Sequence, residues 1–288
     1  MGLEIQDGIR VRARKLLSLG EVGCVVGHEQ SPKGRVRPTF VYKEAGADRM
    51  VWNQTCNHNL VVYLRDLVGP TRRQDAPGRV AVVARPCDAR ALNVLIHEDQ
   101  LARDQVFVIG VACPGMLDDT GVVQGHCQRC KERVPVFYDA LVGEPPQLAE
   151  DEEPWADVRE LEALKPTERL AFWTQEFDRC IRCYACRQAC PGCYCFECLA
   201  EQVDPAWVSI AHQIPEKAFF HIMRAYHLAG RCVECHACDQ ACPMHIPLSL
   251  LNRKMAKDVE ALFGYVAGGD PGIPPPLATF QMDEELSV

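Results

Sequence analysis

Cys180-Ile181-Arg182-Cys183-Tyr184-Ala185-Cys186-Arg187-Gln188-Ala189-Cys190-Pro191 has the spacing C-x2-C-x2-C-x3-C-P. It recurs as Cys232-Val233-Glu234-Cys235-His236-Ala237-Cys238-Asp239-Gln240-Ala241-Cys242-Pro243. Three closely spaced thiolates and a fourth beyond them are the ligand pattern of a 4Fe–4S cubane, and in paired runs the fourth thiolate commonly serves the other cluster. The pair therefore predicts one cluster on Cys180, Cys183, Cys186 and Cys242, and a second on Cys232, Cys235, Cys238 and Cys190. A single C-x-x-C would say little, because zinc ribbons and redox dithiols share it. Zinc modules present two cysteines and then two more ligands after a gap. Neither run does. Two clusters held in this way imply electron transfer.

The rest of the composition agrees with that reading. A chain of 288 residues, 48% hydrophobic and 24% charged, has room for one large domain or two modest ones. Its 17 cysteines are an odd number at cluster spacing, which argues against a disulfide framework. The formal charge is −8, and two clusters with their thiolates lower it by roughly four more units. A nucleic-acid binder would carry the opposite sign. The first residues, Met1 to Asp7, hold no basic stretch leading into an apolar run, and no apolar run is long enough to span a membrane. The expectation is a soluble protein of a reducing, anaerobic cytoplasm.

In the first half, residues 3–18 predict a helix with Ile5, Ile9, Leu16 and Leu17 on one side. Strand-like runs follow at Val22–Val26 and Val36–Tyr42, separated by turn chemistry over Gly27–Gly34. Cys24 reads as core; Cys56 and His58 precede a helical pattern over Leu60–Leu67. Two Val-rich runs, Arg79–Ala84 and Val106–Val111, read as buried parallel strands joined by a helix over Asp88–Ile96. If they are neighbours, Cys87 and Cys113 emerge from one carboxyl edge, where α/β sheets place ligands. Cys127-Gln128-Arg129-Cys130 follows, before a strand-like run over Val134–Tyr138. These four thiols predict a third site: a further 4Fe–4S cluster in preference to zinc. The plainer reading of Cys87 is a thiol at a helix N-terminus with no metal.

Residues 143–154 are Pro-rich and acidic and read as a boundary. Beyond it, Thr167 is placed to cap a helix carrying Leu170, Trp173 and Phe177. Pro215 opens a helix with Phe219, Ile222, Met223 and Tyr226 on one face, and Leu248, Leu251, Met255, Val259 and Leu262 mark another. Cys193, Cys195 and Cys198, just after the first run, are either ligands of the third site or packing around the first cluster. His236 and His245 flank the second run, where they either tune its potential or simply pack. The segment from Gly264 has too little periodic apolar surface to fold alone and is expected to drape over a partner.

The paired runs, separated by helical sequence and followed by Ile246-Pro247, resemble the α-helical ferredoxin domain of heterodisulfide reductase C-type subunits and related respiratory iron–sulfur subunits. Arg85-Pro86-Cys87-Asp88-Ala89-Arg90-Ala91-Leu92 together with Cys190-Pro191-Gly192-Cys193-Tyr194-Cys195-Phe196 is similar to the β subunits of soluble sulfhydrogenases and anaerobic sulfite reductases. The first half also resembles the β subunit of deazaflavin-dependent hydrogenases and dehydrogenases. Together these cover most of residues 79–263. The resemblance implies an electron-wiring subunit of a multi-subunit anaerobic oxidoreductase. The chain departs from it in being short and in having Cys127–Cys130 where a C-x-C is found. The deazaflavin relatives bind a flavin, but no Gly-rich phosphate loop is visible here.

The sequence thus predicts an α/β domain with a small, mostly parallel sheet and a candidate third metal site over residues 1–145. A linker over 146–158, a mostly α-helical dicluster ferredoxin domain over 159–263 and an extended tail over 264–288 follow. The expected function is a non-catalytic relay of single electrons between partner subunits of a hydrogenase, dehydrogenase, flavoprotein or heterodisulfide-reductase-like complex. No catalytic set is visible. The alternative is a subunit that itself carries FAD or FMN and exchanges electrons with a nicotinamide or deazaflavin donor.

Overall fold

A computed structural model of the chain describes residues 2–276, apart from 73, 75, 119, 148–152 and 210. Helix α1 (Gly2–Ser18) precedes the hairpin of β1 (Cys24–Gln30) and β2 (Val36–Val41). A 3-10 turn, α2 (Leu64–Leu67), β3 (Val80–Ala84), α3 (Pro86–His97), β4 (Val106–Val111), α4 (Gly125–Gln128) and β5 (Ala140–Val142) follow. The strands form one mixed sheet in the order β2-β1-β3-β4-β5. β1, β3, β4 and β5 run parallel, while β2 pairs antiparallel at the edge. Every residue of β3 is buried, as expected of a parallel strand covered on both faces. Leu92 and Leu95 of α3 are buried too, each stabilising the fold by about 1.5–3 kcal/mol.

Local chemistry moved two of the expected strand boundaries. β1 continues through Gly27 rather than ending there, because only glycine leaves room for the Met50 methyl at that point. The reversal comes later, where the Gly34 amide donates to the Ser31 carbonyl at 2.8 Å. The run Val134–Tyr138 is not a strand: Pro135 offers no ladder donor. β5 forms just beyond it, in register with Ile109–Val111 of β4. Asp139 fixes that start, its carboxylate accepting the Val108 amide at 2.6 Å.

The second half is helical: α5 (Ala156–Ala163), α6 (Pro166–Asp178), α7 (Ala185–Gln188), α8 (Ile214–His227), α9 (Ala237–Gln240) and α10 (Leu248–Phe263). α5 begins within the stretch read as linker. α6 starts one residue before Thr167, which is not its cap. Pro166 suits the first helical position, and the Glu168 carboxylate accepts the Lys165 amide at 2.9 Å.

The apolar stripe predicted for α8 faces outward. Phe219, Ile222 and Tyr226 are exposed, whereas Lys217, Phe220, His221, Arg224 and Ala225 are buried. The same inversion touches α10, where Leu262 is exposed and Ser249, Asn252 and Arg253 are buried. Helix patterning assumes that the core is apolar. Here the buried side of α8 meets cysteines and free carbonyls, so it carries donors. The Lys217 ammonium, for example, donates to the Asp178 carbonyl at 2.7 Å.

The described part of the tail lies along the chain's own α3. Arg90 Nε donates to the Ala267 carbonyl at 3.0 Å, Asn93 Nδ2 donates to the Gly268 carbonyl at 3.3 Å, and a His97 ring nitrogen lies 2.9 Å from the Pro271 carbonyl. Gly268 sits at φ +65°, and a side chain there would collide with the Arg90 carbonyl. We expect Gly268→Ala to cost about 1–3 kcal/mol, read as a shift of the urea midpoint. A shift within error would mean that this crossing contributes nothing to the fold.

Candidate functional site

The two cysteine runs fold alike. In each, the residues on either side of the second cysteine adopt the left-handed conformation: Arg182 and Tyr184 at φ 51° and 59°, Glu234 and His236 at φ 57° and 53°. Non-glycine residues pay about 1–3 kcal/mol each for that conformation and cluster at functional sites. The turns wind the backbone around the thiols. The Arg182 amide points at Cys180 Sγ, 3.3 Å away. One-turn helices α7 and α9 then carry Cys186 and Cys238 at matching places.

Three sets of thiols result. Cys180, Cys183, Cys186 and Cys242 line one cavity, walled by Phe220, Ile246 and Leu248. Its fourth thiol comes from the other run. Cys190 in turn acts electrostatically on Cys232, Cys235 and Cys238. Cys87, Cys113, Cys127 and Cys130 line a larger cavity of about 340 Å³, which Cys232 and Cys235 also reach. β3 and β4 are parallel neighbours, so Cys87 and Cys113 do leave the sheet at one edge. Cys193, Cys195 and Cys198 border a separate small cavity with Arg187, Arg224 and Arg231, and do not line the third set's cavity. Cys183 alone among the twelve thiols of the three sets is exposed.

The thiols surround space rather than a point. Among the described residues, no three His, Cys, Asp or Glu side chains converge as a single ion requires; a zinc ion would draw sulfurs to about 2.3 Å. The donor set suits an iron–sulfur cubane, which needs four thiolates standing apart around it. Burial pushes the thiols of Cys113, Cys186 and Cys235 up to about 11, and raises Cys87 and Cys238 well above the usual range. Buried thiols stay protonated until a metal takes the proton's place. Cys190 departs in the other direction, to about 6, through its hydrogen bond with Cys193 and then the nearby Arg224 charge.

Arg85 forms part of the wall of the third set's cavity. Its Nε lies 2.8 Å from Asp88 Oδ2, and the second guanidinium nitrogen 2.9 Å from Oδ1. The pair is 2% and 1% exposed. Asp88 also accepts the Arg85 amide at 2.9 Å and so closes the start of α3. The sequence Arg85-Pro86-Cys87-Asp88 is thus a helix start that delivers Cys87 to the sheet edge with a buried, neutralised cation beneath it.

Sequence reasoning passed over the donors of α8 and α10. A His221 ring nitrogen lies 3.3 Å from Cys180 Sγ; burial and neighbouring arginines hold its imidazole down to about 3. It therefore meets that sulfur as a neutral ring at physiological pH. Asn252 donates to Cys238 Sγ at 3.7 Å. Hydrogen bonds to cluster sulfurs set reduction potentials. The signal for them was polar residues recurring at helical spacing, Lys217, His221 and Arg224 on α8 and Ser249, Asn252 and Arg253 on α10. Of the histidines singled out by position, His236 stacks on His126 with centroids 3.8 Å apart, while His245 is exposed.

No helix among the described residues is long and apolar enough to cross a membrane. No protein-family profile matches the chain. Among curated proteins it is 24% identical to the F420-dependent formate dehydrogenase subunit beta of Methanocaldococcus jannaschii, over 69% of this chain and 76% of that one. It is 25% identical to the F420-dependent formate dehydrogenase 1 subunit beta of Methanococcus maripaludis, over 71% and 76%. The chain is therefore similar, across most of its length, to beta subunits of an oxidoreductase.

Proposed function

We propose that this chain is the iron–sulfur electron-transfer subunit of a multi-subunit oxidoreductase, of the dehydrogenase kind that its relatives' names describe. The observation that carries this is the crossing of the two cysteine runs: Cys242 of the second run lines the cavity of Cys180, Cys183 and Cys186, while Cys190 of the first run acts electrostatically on Cys232, Cys235 and Cys238. In this reading the helical half is a dicluster domain of ferredoxin type. Cys180, Cys183, Cys186 and Cys242 hold one 4Fe–4S cluster; Cys232, Cys235, Cys238 and Cys190 hold the second. Cys87, Cys113, Cys127 and Cys130 hold a third cluster rather than zinc, since their sulfurs ring a cavity instead of converging. Bound clusters supply one-electron redox chemistry. The chain's own residues supply placement: Cys232 and Cys235 border the third set's cavity, and α7, which carries Cys186 of the first set, packs against α9, which carries Cys238 of the second. In this reading electrons pass from one set to the next, and Cys183, the exposed thiol of the three sets, marks the end at the surface.

A second reading has an observation of its own. The 340 Å³ cavity bears Arg85, Arg90, Arg129, Arg133 and Arg253 on its walls, and small-molecule sites begin at about 300 Å³. A flavin there would make the chain an enzyme exchanging hydride equivalents with a soluble donor. The two readings separate in one experiment. Dithionite-reduced, desalted protein is mixed anaerobically with a viologen, or with a nicotinamide or deazaflavin. The relay reading expects reoxidation by the viologen alone. Turnover of the hydride acceptor by the isolated chain would put the flavin reading first.

A further inference from the structure

Arg224 is an arginine buried with no carboxylate partner among the described residues. It is 5% exposed, it forms no ion pair with any carboxylate among the described residues, and its Nε has no hydrogen-bond partner. It donates to the Cys186 carbonyl at 3.1 Å and hydrogen-bonds to the thiols of Cys190 and Cys193. The groups whose charge it feels are all thiols: Cys193, Cys190, Cys238 and Cys186. Its neighbours Arg187 and Arg231 are satisfied differently, by Glu201 at 2.7 Å and Glu98 at 2.6 Å. A guanidinium cannot shed its proton, and burying it away from water costs several kcal/mol that only a negative group offsets. The fold keeps one here, on the inward face of α8, between Cys186 of the first set and Cys190 and Cys238 of the second.

We propose that Arg224 is the shared counter-ion of the two clusters of the helical half, a positioning residue that raises the reduction potential of both. The proposal rests on the ligand assignment given above. Each reduction adds one electron to a thiolate-bound cluster, breaks no bond and makes the centre more negative by one unit. A fixed cation between the two centres favours that state at either one. Its attraction for both centres also offsets part of the repulsion between two reduced neighbours.

The test is anaerobic potentiometric titration followed by electron paramagnetic resonance, on the unsubstituted chain, Arg224→Met and Arg224→Lys. Met keeps the length and volume but loses the charge. Arg224→Met should lower the midpoints of both clusters by at least 59 mV, a tenfold change in a one-electron equilibrium. Arg224→Lys should keep them near the unsubstituted values. An Arg224→Met protein with full iron and unmoved midpoints would overturn the proposal, whatever happens to its thermal stability. If Arg224→Met does not load iron, Arg224→Lys decides: normal loading with near-native midpoints supports the charge, and failure to load refutes it. Absence of cluster signals from the unsubstituted chain would instead refute the ligand assignment itself.

Discussion

Cys242→Ala is expected to abolish the cluster held by Cys180, Cys183 and Cys186, leaving the cluster of its own run in place. The reason is geometric: Cys242 lines the cavity of the first run, not that of the second. Each thiolate binds one iron of a cubane, so alanine at that corner loses the iron there or the whole cluster, and in either case the 4Fe–4S signal. The comparison that decides is between spectra. Cys242→Ala should match Cys183→Ala, and a Cys190→Ala/Cys193→Ala double variant should match Cys235→Ala. The double variant is needed because Cys193 is hydrogen-bonded to Cys190 and could take over as ligand. If Cys242→Ala instead matched Cys235→Ala, each run would hold its own cluster and the crossing would be wrong.

The second large effect belongs to the α/β half. Asp88→Ala leaves the Arg85 guanidinium buried at the wall of the third set's cavity with no carboxylate, and removes the acceptor for the Arg85 amide just before α3. Breaking a buried pair from one side costs about 3–5 kcal/mol, far more than a surface pair would. The readout is the urea midpoint of the unfolding transition that includes the sheet. A loss below about 1 kcal/mol would mean that water reaches Arg85 and that the pair is not a dry one. The effect should also reach Cys87, which sits between the two partners in sequence and depends on that helix start for its position.

What could be read from the sequence, and what could not, divides along a physical line. The cysteine runs are local: spacing alone carries the ligand pattern, and both copies adopt the same left-handed turns at Arg182, Tyr184, Glu234 and His236. The Val-rich strands β3 and β4 were equally plain, since a strand buried on both faces has no polar residue to confuse it. That they are neighbours was only a condition of the sequence reading; the parallel pairing of β3 with β4 meets it and puts Cys87 and Cys113 at one edge. The strand expected at Val134–Tyr138 failed on one residue, Pro135, whose effect on a ladder outweighs the flanking Val and Phe. α8 failed for a deeper reason. Periodicity assigns apolar residues to the inside, but the inside here is a pair of thiol sets, and the helix turns Lys217, His221 and Arg224 toward them. Exposed Phe219, Ile222 and Tyr226 are what remains on the outer side. The tail was expected to cover a partner; its residues up to 276 lie along α3, held by backbone carbonyls that no side-chain pattern encodes, and residues 277–288 lie outside the described part.

The most direct measurement is the iron, sulfide, zinc and flavin content of the anaerobically purified chain, with electron paramagnetic resonance of the reduced protein. Three 4Fe–4S clusters predict about twelve irons and as many sulfides per chain, with neither zinc nor flavin. Zinc without iron would contradict the account at its root.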